Sequence, residues 1–196
     1  MRRYLMTSKV LICIDFIEEI IGKNGALASQ GYLEFAKEQS TLDNLSKALE
    51  YFRKENLPVI HVRLGFSDNY LELPESSPLF KNAKQYGILK ANSNSTAFVK
   101  EAKPYDEEPV LTKPRVSAFF NTALESYLKQ LNIKDIYIAG VATDLTVEAT
   151  ARDAHDRDYR VYVLSNCCAA ASKEEHDKSL KLISKIGSVV SLHQIV

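Results

Sequence analysis

The apolar positions along the chain predict short buried strands that alternate with amphipathic helices. An apolar run from Val10 to Ile14 stops at Asp15; it is too short for a helix and typical of a strand buried on both faces. A different spacing follows, with apolar residues three and four positions apart at Leu42, Leu45, Leu49 and Phe52. This spacing predicts one apolar face on a helix that begins at Ser40 or Thr41 and ends at Glu55.

The alternation continues to the end of the chain. Further strands are predicted at 58–63, 110–112, 136–139, 160–164 and 188–193, and further helices at about 122–131, 144–157 and 173–185. This alternation favours an α/β fold with three layers, in which helices cover both faces of a six-stranded parallel sheet. Neither a repeat nor a linker divides the pattern, so we expect one domain over residues 1–196.

Residues 64–108 interrupt the alternation. This segment is rich in Ser, Asn, Pro and Tyr, and loops of this length inside a compact domain are usually functional. We therefore predict that the segment, called the excursion below, serves as a lid or as an oligomer contact.

The carboxyl ends of parallel strands lie along one edge of a sheet, where ligands bind. The residues that follow the predicted strands are therefore expected to converge: Asp15, Phe16, 63–66, Lys113, 140–146 and 166–168. Asp15 and Lys113 carry opposite charges at this edge. Such a pair suits general acid–base catalysis because each group influences the pKa of the other. A structural ion pair is the alternative interpretation.

The turn after the strand at 136–139 is a second candidate for chemistry. Gly140 opens this turn and a predicted helix follows it, so unpaired N–H groups at the helix start point at whatever occupies the turn. These groups suit the binding of an oxyanion. Ordinary capping of the helix by Thr143 or Asp144 is the alternative interpretation.

Charge and composition narrow the range of ligands and locations. The chain holds 25 basic and 25 acidic residues, interspersed rather than grouped, which favours a small-molecule ligand over nucleic acid or a membrane surface. Lys9 and Asp15 interrupt the apolar run near the N-terminus, which is too short for a signal core or a membrane span. Three cysteines without a disulfide or zinc spacing predict reduced thiols, so we expect a cytoplasmic protein.

Together these motifs resemble the isochorismatase-like hydrolase family, which includes cysteine hydrolases such as nicotinamidases and carbamoyl amidohydrolases. The matching stretches are LICIDF at 11–16, IHVR at 60–63, LTKPRVSAF at 111–119 and GVATD at 140–144, with TARDA at 150–154 and CAA at 168–170. The resemblance implies a six-stranded parallel sheet, catalytic roles for Asp15 and Lys113, a non-proline cis peptide between Val141 and Ala142, and a homo-oligomer.

One position departs from the cysteine hydrolases that the chain resembles. Their nucleophile lies three residues after the motif threonine, and this position is Thr146 here. A threonine hydroxyl is a much poorer nucleophile than a thiolate unless a strong base activates it. Isochorismatases of the family also lack the cysteine, and they hydrolyse a vinyl ether with the aspartate as proton donor. They carry a tyrosine near the cis peptide, where this chain has Ala142.

Two functional hypotheses follow from the resemblance and this departure. The first is a hydrolase of a small enol ether, amide or carbamoyl compound, in which Asp15 and Lys113 act as acid and base and Thr146 orients water or substrate. The second is a catalytically silent homologue that binds a small ligand or a partner protein through the same pocket.

Candidate substrate contacts come from the strand ends and the matching motifs: Phe16, Arg63, Phe66, Ser117, Val141, Ala142 and Thr143. Arg63 has two interpretations, a bidentate contact with a substrate carboxylate or an anchor for the excursion or a subunit contact. Cys167 or Cys168 is conceivable as a displaced nucleophile, although buried cysteines usually act as small apolar residues.

No cofactor and no metal are predicted. Family members that bind zinc or iron use an aspartate and closely spaced histidines after the second strand, whereas the next histidine after His61 is His155. His61 lies in a predicted strand and is interpreted as a core or interface residue. His155 and His176 lie among charged residues on predicted helices and are interpreted as solvated.

Overall fold

A computed structural model describes residues 8–195, which contain a six-stranded sheet. The strands are Lys9–Ile14 (β1), Val59–Leu64 (β2), Val110–Lys113 (β3), Asp135–Val141 (β4), Arg160–Ala169 (β5) and Ser188–Val190 (β6). They pair in the order β3-β2-β1-β4-β5-β6, and every pairing is parallel. The predicted fold class is confirmed.

The strand order creates a crevice beside β1. The chain runs outward from β1 through β2 to β3 and then returns to β4 on the other side of β1. In open parallel sheets, ligands bind at this switch point, beyond the carboxyl ends of the two central strands. Ile14 pairs with Gly140, so Asp15 and Val141 lie at adjacent strand ends.

Helices cover both faces of the sheet. They are Glu18–Ile21 (α1), Tyr32–Glu38 (α2), Thr41–Lys54 (α3), Ala83–Tyr86 (α4), Leu124–Gln130 (α5), Glu148–His155 (α6) and Lys173–Ile183 (α7). Leu11 and Cys13 of β1 belong to one apolar cluster with α1, α2 and α3, whereas the alternate residues of β1 belong to a second cluster with α5, α6 and α7. Burial on both faces explains why the central strands β1 and β4 are largely apolar.

The sequence-based prediction missed α1, α2 and α4. Two of these helices have four residues and α2 has seven, so none repeats an apolar period often enough to be recognised. The predicted helix at 144–157 was also wrong at its start, where Thr143–Val147 form a π-helical turn that precedes α6.

The excursion folds back onto the sheet edge. Phe66 N donates a hydrogen bond to Leu89 O at 2.8 Å, and Val99 N donates to Phe16 O at 3.0 Å. These bonds hold residues on both sides of α4 against the strand ends. A role of the excursion as a lid or oligomer contact stays a prediction.

The last residue of the excursion is fixed by buried charges. The Glu108 carboxylate accepts hydrogen bonds from Arg53 Nε and Nη2, both at 2.8 Å, and from His61 Nε2 and Tyr105 N, both at 2.9 Å. Burial raises the pKa of Glu108, but these hydrogen bonds outweigh it and hold the pKa at about 2. Burial also lowers the pKa of His61, which agrees with its interpretation as a core residue.

None of the helices within residues 8–195 is long and apolar enough to cross a lipid bilayer. The prediction that the apolar run near the N-terminus is too short for a signal core or a membrane span also involves residues 1–7. These residues lie outside the part of the chain that the structure describes.

We predict that Glu108→Gln lowers the free energy of unfolding at pH 7 by about 2 to 3 kcal/mol, because an amide NH₂ group faces donors that bound a carboxylate. The pKa of Glu108 is lowered in the folded state, so its contribution is present above pH 4.5 and is lost as the pH falls toward about 2. Urea denaturation of both proteins at pH 7 and pH 3 measures the difference, which should shrink at pH 3. An equal difference at both pH values would contradict the assignment.

Candidate active site

Asp15 occupies a special position at the end of β1. Its φ of 61° lies in the left-handed region, which Asp tolerates better than most residues, and its side chain is buried. Asp15 N donates to Val62 O at 2.9 Å, and Leu64 N donates to Asp15 Oδ1 at 2.6 Å. The backbone of β2 therefore fixes both the main chain and the carboxylate of Asp15.

Lys113 ends β3, two strands away from β1, and reaches the same carboxylate. Lys113 Nζ lies 2.7 Å from Asp15 Oδ2 and 3.0 Å from the carbonyl oxygen of Arg115. The lysine is only 1% exposed. The predicted convergence of Asp15 and Lys113 is thus present as a buried, hydrogen-bonded ion pair.

Opposing effects act on the protonation of Asp15. Burial raises the pKa of its carboxyl group, whereas Lys113, the Leu64 N–H group and the Thr146 hydroxyl lower it, and the net shift is upward. A carboxyl group with a raised pKa exchanges protons more readily near neutral pH than an ordinary aspartate.

The turn after β4 forms the other side of the crevice. The peptide bond between Val141 and Ala142 is cis, and Thr143–Val147 form the π-helical turn. A Cβ atom on Gly140 would lie 2.9 Å from Val147 Cγ2 and 3.1 Å from Ile14 O. Glycine is therefore needed at position 140, because the turn packs directly against β4 and β1.

Thr146 projects from this turn toward Asp15. Its side chain is buried, and Oγ1 donates to the carbonyl oxygen of Val116 at 2.8 Å. A hydrogen bond from the same hydroxyl also lowers the pKa of Asp15. One hydroxyl proton thus has two acceptors, the Val116 carbonyl and the Asp15 carboxylate.

A cavity of about 340 Å³ opens above these groups. Five predicted site residues line it: Asp15, Lys113, Val141, Ala142 and Thr146. The other lining residues come from the segment that runs from β1 to the first residue of α2, from the excursion and from the turns that follow β3 and β4: Ile20, Leu27, Gln30, Tyr32, Leu64, Pro78, Leu79, Phe80, Asn82, Ala83, Tyr86, Ile88, Leu89, Val116 and Leu145. The volume suits a small ligand.

Five other predicted contacts do not line the cavity: Phe16, Arg63, Phe66, Ser117 and Thr143. Phe16 is buried in the core, and the Phe66 ring packs against Phe80 at a centroid distance of 5.8 Å. Ser117 Oγ donates to the Asp153 carboxylate. The contacts of these side chains lie within the protein rather than in the cavity.

Arg63 anchors the excursion. Its Nη1 donates to Thr96 O at 3.2 Å and its Nε donates to Thr112 Oγ1 at 3.3 Å. The arginine therefore joins β2 to the excursion and to β3 instead of facing the cavity.

His176 is buried, so the interpretation of a solvated histidine was wrong. Its Nδ1 lies 2.8 Å from Thr143 Oγ1, and burial lowers the pKa of the imidazole. The residues next to His176 in the sequence are charged, which led to the prediction of a solvated side chain. The side of α7 that carries His176 instead faces the π-helical turn. His155 is exposed.

Comparison with known proteins identifies the family. The chain matches the family model described as the Isochorismatase domain over residues 9–195. The chain belongs to the isochorismatase family. It is 29% identical to ureidoacrylate amidohydrolase RutB of Acinetobacter baylyi over 177 residues, which cover 84% of this chain and 72% of the relative. It is 31% identical to the isochorismatase family protein YecD of Escherichia coli O157:H7 over 175 residues, 85% and 89% of the two chains.

Solved structures agree with this membership. Nicotinamidase PncA from Bacillus subtilis superposes with a TM-score of 0.77 at 25% identity, over 94% of this chain and 100% of the other. The protein is therefore an isochorismatase-family hydrolase, as expected from the four matching motifs.

The cysteines of this isochorismatase-family chain lie away from the cavity. Cys13, Cys167 and Cys168 are all buried, and none belongs to the cavity lining. Burial raises the pKa of the Cys168 thiol to about 12 and raises the pKa of the other two thiols as well. Thiols in this state are poor nucleophiles because the thiolate is the reactive form.

We predict that Lys113→Met lowers the free energy of unfolding at pH 7 by about 3 to 5 kcal/mol, because it leaves a buried carboxylate without its cation. Loss of Lys113 also raises the pKa of Asp15 further. Stability of the variant should therefore be greater at pH 5, where Asp15 is more protonated, and fall as the pH rises.

The double variant Asp15→Asn/Lys113→Met is the control for this experiment. It removes both charges and should recover most of the lost stability, as measured by urea denaturation between pH 5 and pH 8. A Lys113→Met variant as stable as the unmodified protein across this range would refute the ion pair.

Proposed function

We propose that the protein hydrolyses a small enol ether, amide or carbamoyl compound by acid–base catalysis at Asp15 and Lys113, without a cysteine nucleophile. One observation carries the proposal: the buried Asp15–Lys113 pair lines the cavity, whereas none of the cysteines does. The alternative is a catalytically silent homologue that only binds a ligand or a partner protein. The experiments below distinguish this alternative from the proposed hydrolase.

For an amide or carbamoyl substrate, the Asp15 carboxylate removes a proton from a water molecule. The water oxygen forms a bond to the carbonyl carbon, and negative charge develops on the carbonyl oxygen. The same carboxyl group then passes its proton to the leaving nitrogen as the C–N bond breaks. Its raised pKa supports both transfers, because the carboxylate is a stronger proton acceptor than that of an ordinary aspartate.

For an enol ether, protonated Asp15 donates its proton to the terminal carbon of the double bond. Water then adds to the resulting oxocarbenium carbon and returns a proton to Asp15, and the hemiacetal or hemiketal releases the alcohol. Lys113 stabilises the carboxylate that forms between these two steps.

Thr146 and the turn around it supply the remaining contacts. The Thr146 hydroxyl donates to Val116 O and lies close enough to Asp15 to lower the pKa of its carboxyl group, so it is placed to hold a water or a substrate oxygen beside that group. Ala142 and Leu145 line the cavity on the same side. We assign proton transfer to Asp15, charge stabilisation to Lys113 and orientation to Thr146.

We predict that Asp15→Asn reduces kcat by about 10² to 10⁴-fold on any substrate found by screening amides, carbamoyl compounds and enol ethers, because asparagine cannot exchange the proton. Asp135→Asn is the matched control. Asp135 is also buried and also paired with a cation, Arg160, but it lies at the opposite end of β4. Loss of activity in Asp15→Asn alone, with normal circular dichroism, supports the assignment; undiminished turnover would refute it.

We predict that Thr146→Cys introduces covalent chemistry, because a thiol at this position lies within reach of the Asp15 carboxylate. Intact-protein mass spectrometry should detect an acyl adduct on this variant with an amide substrate and none on the unmodified protein. Thr143→Cys places a thiol in the same turn but outside the cavity lining and should remain unmodified. An acyl adduct on the unmodified protein would contradict a mechanism without a covalent intermediate.

A further inference from the structure

We infer that the cavity selects an uncharged substrate and excludes carboxylates. This inference deepens the proposed function and rests on it for the reaction, whereas the selectivity follows from the residues around the cavity. Among the described residues, the lining consists of a charged floor, an apolar wall and a neutral rim.

The floor offers no free cation. Asp15 and Lys113 neutralise each other across 2.7 Å, and Lys113 also donates to the Arg115 carbonyl oxygen. Two of the three N–H groups of the lysine therefore already have acceptors. A substrate carboxylate at this place would approach Asp15, which repels it, without gaining an unpaired positive charge.

The wall is apolar. It includes Ile20, Leu64, Phe80, Leu89, Val116 and Leu145. An ionised carboxylate that loses its water against these side chains receives no hydrogen bond in return, which is strongly unfavourable. A neutral acyl or aryl group gains from the same contacts, because it buries apolar surface.

The rim is polar but neutral. Gln30, Asn82 and Tyr86 are exposed lining residues, and Tyr32 is half-buried beside them. Amide and phenol groups donate and accept hydrogen bonds without carrying charge. They suit a carbonyl, amide or hydroxyl group on the substrate and supply no counter-ion.

Two arginines near this edge of the sheet are engaged elsewhere. Arg63 binds Thr96 O and Thr112 Oγ1, and Arg115 Nη1 donates to the carbonyl oxygens of Glu72 and Pro114, both at 2.7 Å. Neither arginine lines the cavity. Within residues 8–195, Lys113 is the only basic side chain in the lining.

Matched pairs of amide and carboxylate test the inference by isothermal titration calorimetry: benzamide with benzoate, and butyramide with butyrate. The members of each pair have nearly the same shape and differ in charge. We expect each amide to bind at least about tenfold more tightly than its carboxylate, the range associated with one charged group left without a partner.

Leu79→Arg should reverse this preference. Leu79 lines the cavity and is 51% exposed, so an arginine there can reach a bound carboxylate and raise the affinity for benzoate about tenfold or more. Leu71→Arg is the control, because Leu71 belongs to the same excursion, is 83% exposed and does not line the cavity. It adds the same charge and should leave both affinities unchanged.

Three results would overturn the inference: carboxylates that bind the unmodified protein as tightly as the amides, absence of binding by either amide, or an equal gain in benzoate affinity from both arginine variants. Calorimetry detects binding whether or not hydrolysis follows. A protein that hydrolyses nothing would therefore refute the proposed function while still showing the amide preference.

Discussion

The buried ion pair between Asp15 and Lys113 is the interaction on which the site depends. Asp15 follows β1, Lys113 ends β3, and the Leu64 N–H group of the strand between them donates to the same carboxylate. One carboxylate therefore joins three strand ends. A buried lysine and a buried aspartate are each costly alone, so each makes the other's position possible. Burial still leaves the pKa of Asp15 raised, which favours the proton transfer proposed for this group.

The residues proposed for catalysis and the residues that form the wall and rim of the cavity come from different parts of the fold. The strand ends β1 and β3 and the turn after β4 supply Asp15, Lys113 and Thr146, which rigid parallel pairing holds in place. Much of the wall and rim comes instead from the segment before α2 and from the excursion. Arg63 and Glu108 tie the excursion to the sheet through buried or half-buried hydrogen bonds. Substitutions in these outer segments can change the ligand without disturbing the ion pair.

The parallel sheet and the centre of the site could be predicted from the sequence, because strands buried on both faces are uniformly apolar and parallel strands end at one edge. Asp15, Lys113 and Thr146 follow from this rule and from the motifs. Gln30 and Asn82 could not be found in this way, since they lie near short helices and follow no strand. The orientation of Arg63 could not be predicted either, because an arginine at a strand end can face the cavity or the excursion. Its hydrogen bonds to Thr96 and Thr112 determine the orientation, and these contacts are visible only in the structure.

The pKa of Asp15 tests the central claim most directly. Carbon-13 NMR of the labelled side-chain carboxyl groups, with Asp15→Asn to assign the resonance, gives the titration of this group in the folded protein. We predict a pKa above the usual 3.8 of an aspartate, because burial outweighs the hydrogen bonds and the lysine. We expect a further increase of this pKa in Lys113→Met. A pKa at or below 3.8 would show that the pair is a structural salt bridge and would contradict proton transfer by Asp15.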